Sequence, residues 1–107
     1  MNVSLKDYSR ALLDLYARLP GTPAKARPAD RRLLEQMHSR GIPLSTIEAA
    51  FFLACARRLS RDPRKPSLSQ IRSLAYFLPV IEELFQKPMP TSYLAYVRSK
   101  VTLKPTA

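Results

Sequence analysis

The segment "STIEAAFFLACARRL", residues 45–59, decides the fold. From Ile47 to Ala56 every side chain except Glu48 is apolar, so a helix over this stretch has no polar face to turn toward water. Such a helix must be surrounded by other elements. Ser45 and Glu48 stand three residues apart, the spacing at which a hydroxyl and a carboxylate cap each other's backbone amides, and they predict a start near 45 and an end near Leu59. The expected architecture is all-α, a small bundle of about five helices around this central helix.

The flanks supply the partners. Ser4 and Asp7 predict a capped helix start, after which Leu5, Tyr8, Leu12, Leu15, Tyr16 and Leu19 form one stripe. Pro20, Gly21 and Pro23 end it, and Pro28 suits the first position of a second helix. Leu33, Leu34 and Met37 give that helix its apolar face, and Gly41 is a natural left-handed C-cap. After the central helix, "RRLSRDPRKPS" reads as a loop, with Ser67 or Ser69 available to start the next helix. There Ile71, Leu74, Leu78, Ile81 and Leu84 keep a helical stripe through Pro79, widened by Tyr76, Phe77 and Phe85. A proline inside a helix forces either a kink or a restart; the expectation is one bent helix over about 68–86, wrapped on the central helix. Beyond "QKPMPTS", residues 88–107 read as a short terminal helix, with Tyr93 and Val97 inward, and a flexible tail. A chain of 107 residues is expected to form a single domain, here 1–107.

Composition narrows the function. The net charge is +10, from 18 Lys and Arg against 8 Asp and Glu, and twelve of the 18 are arginine. This balance favours a polyanion such as nucleic acid as partner. One cysteine, Cys55, cannot form an internal disulfide and reads as a small buried side chain, while the N-terminus lacks the apolar run of a secretion signal. No stretch is long and apolar enough to span a membrane. A cytoplasmic protein with no membrane partner is expected.

Chemistry has few candidates. His38 and Cys55 are the only residues of their kinds, too few for a Cys/His zinc site, and His38 near a helix C-terminus reads as solvated. Asp7 with Asp14 and Glu82 with Glu83 read as solvated faces, and the two glycines, Gly21 and Gly41, cannot build a phosphate-cradling loop. A non-enzymatic protein without cofactor or metal is expected.

Basic clusters are the stronger signal. Arg57, Arg58, Arg61, Arg64 and Lys65 surround Asp62 for a net +4 over nine residues, with Arg72 just beyond. Lys25, Arg27, Arg31 and Arg32 bracket the start of helix two, and Arg98, Lys100 and Lys104 lie near the C-terminus. The planar arginine fork matches phosphate oxygens, although basic helix ends are also favoured by the helix dipole alone. Tyr96, beside Arg98, is a candidate for stacking on unpaired bases. The run "EQMHSRGIPLSTIEAAFFLACARR" has the outline of a helix-turn-helix. Its second helix, however, offers Ala49, Ala50, Phe51 and Phe52 where base-reading polar residues belong, so packing is the expected role.

Within residues 30–85, "LLEQMHSRGIPLSTIEAAFFLACARR" followed by "SLAYFLPVIEELF" resembles the DnaD-like helical domains of replication-initiation and primosome-loading proteins. Those domains place a Gly-Ile … Ile … Ala helix before a shorter helix with a Tyr-x-x-x-Ile element, for which Tyr76 with Val80 or Ile81 is the nearest counterpart. The chain departs from the pattern at Pro79 and in having Phe85 near the place of a terminal tryptophan. The resemblance implies DNA binding and self-association in a replication or mobile-element assembly. Two alternatives stay open: a small helical subunit of an RNA-guided, CRISPR-type ribonucleoprotein, and a protein adaptor whose apolar groove takes a partner helix.

Overall fold

In a computed structural model, residues 3–61, 64–65 and 68–105 are described, and they form α1 (Leu5–Arg18), α2 (Pro28–Ser39), α3 (Leu44–Leu59), a 3-10 helix (Leu74–Phe77), α4 (Leu78–Gln86) and α5 (Thr91–Ser99). The architecture is an all-α bundle. α3 is its centre, packed against α1, α4, α5 and the 3-10 helix, while α2 leans on α1 and the 3-10 helix. Ile47 and the whole run from Ala49 to Cys55 are buried, as a helix without a polar face requires. Phe51, Phe77 and Tyr16 meet at its middle, with Phe51 and Phe77 edge to face at 4.9 Å. Ala49, Ala50, Phe51 and Phe52 therefore belong to the core.

Local signals set most helix ends. Ser4 Oγ accepts the Asp7 amide at 3.2 Å, which caps α1. Pro28 opens α2, and Gly41, at φ +75°, closes it: the Gly41 amide donates to the His38 carbonyl and the Ile42 amide to that of Met37. Pro43 then starts α3 directly, its carbonyl accepting the Thr46 amide.

Five expectations are corrected. Ser45 and Glu48 form no capping box, because α3 begins one residue earlier and leaves Ser45 inside the first turn; Glu48 faces Arg98 instead. The segment over 68–86 is not one bent helix. Its first part, 68–73, is not helical, and after the 3-10 helix, closed by the Leu78 amide bonding to Ala75, α4 starts at Leu78, which puts Pro79 in a first turn where no amide bond is missed. Ser67 lies outside the described residues, and Ser69 caps no helix. Tyr93 faces outward at 50 % exposure, whereas Val97 is buried. Residues 101–105 are not a free tail: the Lys104 amide donates to the Arg18 carbonyl at 2.7 Å, and Arg18 Nε returns a bond to the Lys104 carbonyl at 3.0 Å.

Candidate nucleic-acid interface

The C-termini of α1 and α3 and the N-terminus of α2 lie at one end of the bundle, and the loops leaving them are stitched together there. The Ile71 amide donates to the Gly21 carbonyl at 2.7 Å. Asp30, only 1 % exposed, accepts the Arg27 amide with Oδ2 and the Leu74 amide with Oδ1, both at 2.9 Å. One carboxylate thus caps α2 and starts the 3-10 helix. Thr22, also buried, donates its hydroxyl to the Tyr16 carbonyl at 2.6 Å, and Lys104 Nζ donates to the Thr22 carbonyl at 2.8 Å.

This stitching brings together basic residues that are distant in sequence. Lys25 and Arg27 stand on the loop before α2, Arg31 and Arg32 on its first turns, Arg72 on the non-helical segment bonded to Gly21, and Arg64 and Lys65 on the loop after α3. All seven side chains are exposed, and Lys25, Arg27, Arg31, Arg32 and Arg72 make no ion pair among the described residues. Asp62 lies outside the described residues. Asp30, at the start of α2, is buried and committed to two amides.

The other sequence candidates have structural employment. Arg57 makes a two-armed pair with Glu83 at 2.8 and 3.0 Å, and this bond holds the Glu83 carboxyl below its usual range. Arg40 pairs with Glu82 in the same way and lowers it likewise. Both pairs are solvent-exposed, so screening by water leaves each a minor part in stability. Arg58 reaches across to the Ser69 carbonyl at 3.0 Å and the Tyr76 hydroxyl at 3.3 Å, with its guanidinium 5.4 Å from the Tyr76 ring centre. It clamps the non-helical segment onto α3. Arg98 lies over Phe52 at 5.1 Å, with Glu48 at 3.8 Å, and Lys100 lies over the Tyr96 ring at 5.1 Å. The C-terminal basic group is therefore dispersed: Arg98 and Lys100 sit on α5 and its C-cap, and only Lys104 reaches the basic end.

A groove of about 240 Å³ is lined by Ala54, Leu68, Tyr76 and Val80 together with Arg57, Arg58 and Arg61. Comparisons with protein-family models, curated proteins and solved structures give no match.

Groups suited to covalent or metal chemistry are otherwise engaged. Cys55 is 1 % exposed, and burial pushes its thiol up to about 11, so it is protonated at neutral pH. His38 Nε2 lies 2.8 Å from the Val3 carbonyl and its ring meets Tyr8 edge-on. Among the described residues no three His, Cys, Asp or Glu side chains come close enough to hold a metal ion, and no helix is long and apolar enough to cross a membrane. Sequence reasoning missed Asp30 and Thr22 altogether. The Pro28-x-Asp30 spacing signals a cap for α2, but nothing local signals the bond to Leu74.

Proposed function

We propose that this chain is a non-enzymatic nucleic-acid-binding protein that grips the phosphate backbone with its basic end. The observation that carries this reading is the convergence of Lys25, Arg27, Arg31 and Arg72 on one end, exposed and without a carboxylate partner among the described residues. Like charges held together oppose folding unless a polyanion neutralises them, and phosphate oxygens fit the arginine fork. The adaptor reading has less support, because the groove is lined by three arginines where an apolar helix would need a neutral wall. A place in a replication or mobile-element assembly follows from the DnaD-like resemblance; the RNA-guided alternative shares the same grip but expects useful affinity only inside its assembly.

The test is fluorescence anisotropy of labelled duplex DNA against salt. If those four cations each neutralise one phosphate, log affinity falls against log salt with a slope of roughly −4. The Lys25→Glu/Arg31→Glu/Arg72→Glu variant, verified as folded by circular dichroism, is expected to flatten the slope to roughly −1. An unchanged slope and affinity would remove this end from the interface.

A further inference from the structure

The proposed phosphate grip leaves the exposed aromatic rings without a role. α5 packs on α3 with Val97 inward, while Tyr93 and Tyr96 are open to solvent at 50 % and 53 % exposure. Their rings stack on each other at 6.0 Å with 26° between planes, and Lys100 Nζ lies 5.1 Å over Tyr96. Tyr93 is within electrostatic reach of Arg57, which lines the groove together with Tyr76. Tyr76 is 43 % exposed, with Arg58 over its ring. Two stacked rings under Lys100 thus stand on one side of Arg57, which pairs with Glu83, and Tyr76 under Arg58 shares the groove with Arg57 on the other.

Resting on the nucleic-acid reading, we propose that these rings form a stacking track for an unpaired strand, so that the protein prefers single-stranded nucleic acid over duplex. The charge pattern selects the occupant. An apolar protein surface would strand the cations that sit against Tyr76 and Tyr96, whereas an unpaired strand offers π-faces to the rings and phosphates to the cations. A duplex keeps its base faces inside its own stack and reaches the cations only. Lys100 is the movable part: swung from Tyr96 to a phosphate, it opens a ring face for a base.

The experiment compares oligothymidine, oligouridine and a duplex of equal length by anisotropy, using the wild type, Tyr93→Ala/Tyr96→Ala and Tyr93→Phe/Tyr96→Phe. Loss of the rings is expected to weaken unpaired-strand binding about tenfold or more, to change duplex binding less than about twofold and to leave the salt slope unaltered. The phenylalanine variant keeps the rings and is expected to bind like the wild type, which separates stacking from any loss of folding. Equal affinity of the alanine variant and the wild type for both unpaired strands would overturn the track while a steep salt slope kept the phosphate grip. No binding of any probe by the wild type at low salt would overturn both.

Discussion

The turn between α2 and α3 and the clasped loops at the other end of those helices both reverse the chain, by different means. The turn is closed within six residues by backbone bonds that need only Gly41 in a left-handed conformation. The clasp at the opposite end depends on partners 44 and 11 residues apart, Asp30 with Leu74 and Arg58 with Ser69. A local closure carries its own sequence signature. A long-range one exists only once the helices have brought its halves together, and it is therefore the part of the molecule most sensitive to a single side chain.

The largest effect is expected at the clasp. Asp30→Ala removes the acceptor for two backbone amides, one of them buried, and should cost about 3–5 kcal/mol in urea unfolding, because hydrogen bonds to a charged group contribute roughly 1.5–3 kcal/mol each. A loss below about 1 kcal/mol would show that the clasp closes without it. Second is a pH effect that touches both ends. Burial pushes the Tyr8 phenol from 10.0 up to about 12, and burial together with the nearby Asp30 charge, partly offset by Arg27, pushes Tyr16 up to about 12 as well. The neutral forms are favoured in the folded state, so their contribution is complete below about pH 10 and is lost as pH rises toward about 12. Urea midpoints recorded across that window should fall steadily, and less steeply in Tyr16→Phe.

Next in size is Gly41→Ala. The φ of +75° is costly for any side chain, while a Cβ there would meet nothing within 4 Å, so the cost should be the conformational one alone, about 1–2 kcal/mol. Arg58→Lys keeps the charge but loses the fork that spans Ser69 and Tyr76; stability should drop by about 1 kcal/mol with the nucleic-acid salt slope unchanged. The smallest effect separates the two buried phenols. The Tyr8 hydroxyl donates to the Ile42 carbonyl at 2.9 Å, whereas that of Tyr16 is buried without a partner among the described residues. Tyr8→Phe should cost about 1 kcal/mol and Tyr16→Phe close to nothing at neutral pH, or a slight gain.

The sequence by itself determined the elements whose causes are local. The apolar run from Ala49 to Cys55 required a surrounded helix, Ser4 and Pro28 marked two starts, and Gly41 marked a stop. It also set the charge that points to a polyanion. Tertiary structure decided whatever depends on a distant partner. Residues 68–73 stay out of the helix, where the Ile71 amide bonds to Gly21 and the Ser69 carbonyl to Arg58. Tyr93 lies one turn before Val97 on the same face of α5, yet it is half exposed while Val97 is buried, so helical spacing alone does not settle how far the face stays covered. The basic clusters were legible as residues, but their sorting was not. Arg57, Arg58 and Arg98 bind partners on other elements, while Lys25, Arg27, Arg31 and Arg72 share one end, because the helices and the buried Asp30 carboxylate place them there.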